Sequence, residues 1–403
     1  MKNNTTLNSF EKIYKLLEEV MLANSGSDEF EEILKLIILK LWDEKHATNS
    51  FFNKKKAEKT LLKIEKEWPG VILEKRFLIT DEQFTVCKDI IQKFDFSISS
   101  YEGIDGIFEY IISKEKKGAK GQFFTPRYIV DFCVDILNPK SNESILDPTV
   151  GSGAFLYHSY ARTGIKGNQL WGFDFDETAV RIARLLLNIA DISGAHIHKV
   201  NSLLKPSTNL PLQFSINDFS TTIEDIERIE KKKNKYDVIL TNPPFAGEVI
   251  EPEILNNYEI SRGKNRIERD VLFLERCVNL LNDSGRMAII LPDNVFGGND
   301  NEYVRKWLHS TCRIIGVIGI PRNAFMPHTP VKTSILFVEK RNTKKKYSDE
   351  KVFFGICQKP GKDSRGRLIF KSDSVSSWKN VDHDLAEISI EFKKFLADNK
   401  IGW

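Results

Sequence analysis

Through the first hundred positions, apolar residues recur at three- and four-residue spacing; beyond them come short runs with little polar interruption. "FEKIYKLLEEVM", "EFEEILKLIILKLWDEK" and "DEQFTVCKDIIQKF" carry the first pattern, with acidic residues near their starts, and this predicts amphipathic helices. After the basic, glycine-containing stretch "SKEKKGAKGQFFTP" the second pattern takes over. "SILDP", "QLWGFDF", "HIHKV", "YDVILTNPP", "GRMAIILPD" and "IIGVIGIP" read as strands, with "YIVDFCVDIL", "ETAVRIARLLLNIADI" and "RDVLFLERCVNLL" as helices between them. Such alternation predicts an α/β fold with a doubly wound, mostly parallel sheet. The near-continuous apolarity of the strands fits a sheet covered on both faces.

These patterns divide the chain into an N-terminal helical domain at 1–115, an α/β domain at 116–340 and a C-terminal tail at 341–403. Residues 203–235 read as an insertion before the "YDVIL" strand. Composition adds little to this picture. At 403 residues, 41% hydrophobic and 29% charged, the chain falls in the soluble globular range. No apolar run approaches the ~18 residues that span a bilayer, and "MKNNTTLNSFEKIYKLLEEV" carries no secretory stretch, so a cytoplasmic location is expected.

Charge and cysteine usage exclude some classes. The five cysteines are far apart and never in CxxC spacing, which argues for buried apolar residues and against a disulfide framework or zinc site. His196 and His198 are the one close histidine pair, and no metal is expected. A net charge of +3 is too small to announce nucleic-acid binding, and lysine clusters such as "RNTKKKYSDEK" read singly as solvated surface.

Three features carry chemistry. "ILDPTVGSGAF" places an acid, Asp147, at a strand end, followed by a turn with Gly151 and Gly153 and a helix start, where backbone can approach a ligand closely. Leu156 occupies the third glycine position of a dinucleotide fingerprint, which weakens a nicotinamide reading. Asp174 ends the next strand, about 20 residues on, where a carboxylate can hold both ribose hydroxyls of a nucleoside. This spacing suits NAD and S-adenosylmethionine equally. The third feature, "NPPF", ends the fourth strand at the carboxyl edge of the sheet. Tandem prolines fix the turn, so the Asn242 side-chain oxygen and the Pro243 carbonyl can accept from one exocyclic amine while Pro244 holds the bend and Phe245 stacks on the ring. Two acceptors favour a pyramidal nitrogen with an available lone pair, and neither a metal nor a strong base is needed.

With these residues in view, the blocks "GQFFTPRYIVDFCVDILNP", "ILDPTVGSGAFL", "GFDFDETAVRIARLLLNI", "YDVILTNPPF", "GRMAIILPDNVF" and "VIGIPRNAFMPHTPVKTSILFVEK" together resemble the N6-adenine DNA methyltransferases, specifically the modification subunit of type I restriction-modification systems. The resemblance covers roughly residues 100 to 340. It implies an S-adenosylmethionine-dependent methyltransferase fold with an N-terminal helical domain that helps enclose double-stranded DNA. It also implies transfer to adenine N6 of a base extruded from the duplex. Phe124, Thr125 and Pro126 then lie near the methionine end of the cofactor, Asp147, Gly151 and Gly153 form the cofactor turn, Asp174 contacts ribose, and Asn242, Pro243, Pro244 and Phe245 form the adenine site. Asn201 stands where the family usually has an acid near the cofactor adenine, which implies altered affinity. "SRGKNRIERD", 261–270, becomes a candidate phosphate-contacting loop.

The elements of the α/β domain are used up by about Lys340, so base-edge reading is expected from a separate specificity subunit, as the resemblance also implies; whether a restriction subunit joins as well is left open by the sequence. The final "DLAEISIEFKKFLADNKIGW" is expected as a helix that docks on such a partner. A methyltransferase of RNA bases or protein glutamine also uses an NPP(F/Y) turn, but without the "GQFFTP" block and large helical N-terminus. A nicotinamide oxidoreductase leaves NPPF without a role. An inactive cofactor-binding scaffold would not need Asp174 and Asn242 to Phe245 intact.

Overall fold

The computed structural model describes residues 2–22, 28–96, 101–115, 124–206, 223–348, 350–372 and 378–403. Most of the "SKEKKGAKGQ" stretch and much of the expected insertion at 203–235 therefore lie outside the described residues. Contacts divide the chain into two compact units.

The first unit holds residues 1–118, 181–191 and 372–377. Its helices are α1 (Lys2–Leu22), α2 (Glu29–His46), α3 (Lys54–Glu67), α4 (Asp81–Ile91) and α5 (Tyr101–Glu115). Local signals set their ends: Asp28 accepts from the Glu31 amide ahead of α2, and Thr80 and Gln83 form a reciprocal capping box ahead of α4. Arg181 belongs to this unit because its guanidinium grips the Glu31 carboxylate with both Nη atoms and its Nε donates to Val71 O at 3.1 Å. A unit boundary drawn at 115 alone therefore misses a segment some 65 residues further on; the pairing is non-local and leaves no mark in the periodicity.

The second unit contains the sheet. Its strands are β1 (Ile145–Asp147), β2 (Leu170–Asp174), β3 (His196–Lys199), β4 (Tyr236–Thr241), β7 (Leu281–Pro292), β8 (Cys312–Ile320), β9 (Thr333–Lys340) and β10 (Phe353–Ile356), with β5 (Glu248–Val249) and β6 (Ile267–Glu268) forming a separate two-stranded ribbon. The main order is β3-β2-β1-β4-β7-β9-β8-β10. Strands β3, β2, β1, β4 and β7 are mutually parallel; β9 runs antiparallel between β7 and β8, and β10 is parallel to β8. Strand order reverses between β1 and β4, the switch point outside whose carboxyl ends open α/β sheets bind ligands.

Helices α6 (Arg127–Leu137), α7 (Ala154–Thr163), α8 (Glu177–Ile189, of which 177–180 belong to this unit), α9 (Ile223–Lys232), α10 (Pro252–Leu255), α11 (Arg269–Leu280), α12 (Glu302–Thr311) and α13 (Leu385–Asp398) complete the described α-helices. β1 is buried throughout and β4, β7 and β9 are mostly buried, as continuous apolar runs require, and Ile239, Met287, Ile289, Leu336 and Val338 join α11 residues Leu272 and Val278 in one core. The five cysteines are free and buried. No helix among the described residues is long and apolar enough to cross a membrane.

The C-terminal segment corrects an expectation. Residues 341–403 are not a tail apart from the sheet: β10 extends it beyond β8, and α13 packs on α6 of the same chain. Phe392 stacks on Phe353 at 4.6 Å between ring centroids, and Lys393 Nζ donates to Asp135 at 2.6 Å. The helix expected in this segment is present as α13, and its buried residues Leu385, Phe392 and Leu396 face the chain's own second unit while Ile390 is exposed.

Candidate active site

β4 carries the chain to Thr241, and the two prolines that follow have no N–H to continue the ladder. Asn242 is thus released at the carboxyl edge beside the switch point. Its Nδ2 donates to Thr125 Oγ1 at 3.0 Å, which fixes the amide's orientation. Its Oδ1 is shielded from solvent and accepts no hydrogen bond among the described residues. An unsatisfied buried acceptor costs about 1–3 kcal/mol. Unsatisfied buried groups are few in native folds, and one at a sheet's ligand edge marks a candidate binding position.

A brace beneath the turn holds it in place. The Asp147 carboxylate is 2% exposed and accepts from the Thr149 amide at 3.1 Å and from Thr241 Oγ1 at 2.9 Å. The Thr149 and Thr241 hydroxyls lie 2.6 Å apart. Together they tie the loop after β1 to the end of β4. Burial pushes the Asp147 pKa up to about 7 against the lowering effect of these donors. Asp147 thus faces into the protein and shapes the turn from below.

Gly151 and Gly153 take φ of +52° and +86°, a region that residues with a Cβ rarely adopt. A Cβ at Gly151 would meet nothing nearer than Thr149 O at 4.0 Å, so the turn opens onto free space. Gly151 N donates to Asp174 Oδ2 at 3.0 Å, and Asp174 Oδ1 accepts from the Asp176 amide at 3.0 Å. Asp176 caps α8 through Ala179 N at 2.9 Å, which frees Asp174 of that task. Next to Asp174 stands Phe175, 51% exposed. Asn201 follows β3 and its Oδ1 accepts from Leu203 N at 3.1 Å, so part of its acceptor capacity serves its own loop.

Pro126 is buried and its carbonyl starts α6, accepting from Ile129 N at 2.9 Å; Phe124 and Thr125 are half-buried ahead of it. Phe245 meets the fully buried Phe325 edge to face, centroids 5.8 Å apart at 85°. Phe325 ends the turn Arg322–Phe325 after β8. The structure therefore joins Thr125 to Asn242, Gly151 to Asp174 and Asp147 to the end of β4. Reasoning from sequence missed Thr241, Thr149, Phe175 and Phe325. Only Phe175 left a local signal, an aromatic ring directly after the strand-two acid.

A model of the N-6 DNA methylase family matches residues 100–392. The chain belongs to this family. It is 30% identical over 262 residues to the EcoEI type I restriction enzyme methylase subunit of Escherichia coli, covering 64% of this chain and 51% of that subunit. It spans about half the length of the curated relatives it matches. The type I restriction-modification system methyltransferase subunit from Streptococcus thermophilus superposes with a TM-score of 0.61, covering 96% of this chain and 81% of that one at 18% identity. A Listeria monocytogenes protein described as a class I S-adenosylmethionine-dependent methyltransferase covers 97% of the chain, and is itself covered to 99%, with a TM-score of 0.60 and 16% identity. The chain thus has the S-adenosylmethionine-dependent methyltransferase fold, with the doubly wound, mostly parallel sheet expected from the alternation of its elements.

Proposed function

We propose that this chain transfers a methyl group from S-adenosylmethionine to adenine N6 in double-stranded DNA, as the modification subunit of a type I restriction-modification system. The observation that carries the reading is the shielded, unsatisfied Asn242 Oδ1 at the end of β4, its orientation set by Thr125. The family and the type I subunits among the relatives support the substrate class.

The residues present fit the cofactor. The open turn at Gly151 gives backbone access, Asp174 offers carboxylate oxygens for ribose hydroxyls, and half-exposed Phe175 offers a face for the adenine ring. Thr125 and Phe124 would border the methionine end, with Asn201 near the adenine amine. When bound, S-adenosylmethionine supplies an electrophilic methyl group.

The chain's own residues prepare the acceptor. Adenine N6 is a weak nucleophile because its lone pair is delocalised into the ring. Asn242 Oδ1 and the Pro243 carbonyl would accept its two hydrogens and turn the lone pair out of the ring plane. Pro244 keeps those acceptors fixed, so little reorganisation accompanies reaction; each such dipole is worth about 3 kcal/mol at the transition state. Phe245, backed by Phe325, would stack on the extruded base, recovering about 1–3 kcal/mol of the unstacking cost. Sequence selection would come from a separate specificity subunit.

The test is to express the chain with its specificity subunit in a host free of N6-methyladenine and to sequence the DNA. N6-methyladenine in one sequence context is expected. Unmodified adenine throughout, with both subunits folded and associated, overturns the proposal.

A further inference from the structure

In the second unit a groove of about 580 Å³ runs between the 259–264 loop and α12, lined by Glu259, Arg262, Lys264, Tyr303, Lys306 and Trp307 among others. We propose that this groove holds the phosphodiester backbone of the DNA strand beside the extruded base, an inference that rests on the function proposed above.

Position favours it. The loop follows Phe245 through β5 and α10, and α12 follows the carboxyl end of β7, so both walls issue from the ligand edge of the sheet. Among these residues three are cationic and one, Glu259, is anionic. Arg262 and Lys264 are exposed and form no ion pair among the described residues, whereas Lys306 is partnered by Glu302 at 2.7 Å. The one carboxylate on the wall is engaged: Glu259 Oε2 accepts from Trp307 Nε1 at 3.2 Å. Lys264 Nζ sits 3.9 Å from the centroid of the Tyr303 ring, which keeps the cation at the groove wall. Cations interleaved with half-buried aromatic rings are what a nucleic-acid strand requires, charges for phosphates and faces for bases or sugars.

The loop is also rigid. The Glu275 carboxylate accepts from Glu259 N at 3.0 Å and Ile260 N at 2.8 Å, while Ser261 Oγ donates to Tyr258 O at 2.9 Å. Gly263 turns the chain at φ +76°, and Lys264 N closes the turn on Ser261 O at 2.9 Å. The two unpaired cations are therefore presented on a backbone fixed before any ligand arrives, which lowers the ordering cost of binding.

The test uses the chain co-purified with its specificity subunit and a duplex carrying the methylated site. DNA affinity is measured against salt for the wild type, R262A/K264A, the charge-reversed R262E/K264E, and K344A/K346A as a control on another lysine-rich stretch. Each phosphate contact contributes about 0.9 to the slope of log affinity on log salt. R262A/K264A should lower that slope by about 1.8 and R262E/K264E by more, with kcat at saturating DNA and cofactor affinity unchanged and the control at the wild-type slope. A wild-type slope in R262A/K264A, in an enzyme that methylates DNA, overturns the groove alone; so does loss of the specificity subunit at an unchanged slope, which makes the groove a protein interface. Absence of methyl transfer to DNA by the wild type instead strikes the function reading.

Discussion

The Asn242 amide donates to the Thr125 hydroxyl at 3.0 Å across 117 positions of sequence. One end of the amide is therefore anchored to the segment that enters α6, and the other is left free as an acceptor. A hydrogen bond of this kind is worth about 1 kcal/mol net. Thr125→Val should lower kcat roughly fivefold by that figure, with a smaller effect on cofactor affinity, and Thr125→Ser should restore it. Steady-state kinetics with a saturating cofactor check this; equal kcat for Thr125→Val and wild type removes the positioning role.

Asp174 accepts from Gly151 N, and under the proposed function its carboxylate would also hold the cofactor ribose. Hydrogen bonds to a charged group contribute about 1.5–3 kcal/mol. Asp174→Ala should weaken S-adenosylmethionine binding about 10- to 100-fold, with a smaller loss in kcat at saturation. Calorimetric titration of the cofactor measures it, and an unchanged Kd contradicts the assignment.

The brace at Asp147 has a pH signature. Its pKa is raised by burial to about 7 in the folded chain, against about 3.9 for an unfolded aspartate. The folded state therefore binds more protons between these values, and stability falls as pH rises from about 4 to 7, then levels off. Asp147→Asn cannot ionise and should lose this component of the slope, on the order of a few kcal/mol across the window. Denaturant unfolding at pH 4.5, 6 and 8 distinguishes the two; parallel profiles would show that Asp147 ionises normally.

Gly316 on β8 lies against Phe392 of α13, and a Cβ there would overlap the ring. Gly316→Ala should destabilise the second unit by about 1–3 kcal/mol through overpacking, with a lowered Tm by calorimetry. Phe392→Leu in the same chain should relieve part of that loss. If Gly316→Ala is neutral, α13 does not dock on the sheet as described.

What was legible in the sequence was local. Short apolar runs marked β1 to β4, β7 and β8, and the double proline marked the point where the chain after β4 stops donating ladder bonds. Asp174, Gly151 and Asn242 could be named because turn and strand-end chemistry depends on adjacent residues. The Thr125 bond, the Thr241 brace and the Phe325 backing depend on residues brought together by topology, and no spacing rule reaches them. β10 was missed for a related reason. Four residues at a sheet edge, with Phe354 and Ile356 exposed, show no alternation strong enough to predict a strand without knowing that β8 has a free edge.

The most direct measurement follows labelled methyl from S-adenosylmethionine into nucleosides of duplex DNA, using wild type and Asn242→Ala co-purified with the specificity subunit. The label should appear as N6-methyladenine with the wild type. With Asn242→Ala it should fall at least 100-fold, the loss typical of one preorganised dipole, while cofactor binding by calorimetry is retained. Label in another base, in RNA or in protein, or transfer by Asn242→Ala at the wild-type rate, would contradict the assignment of Asn242 Oδ1 as the acceptor that activates adenine N6.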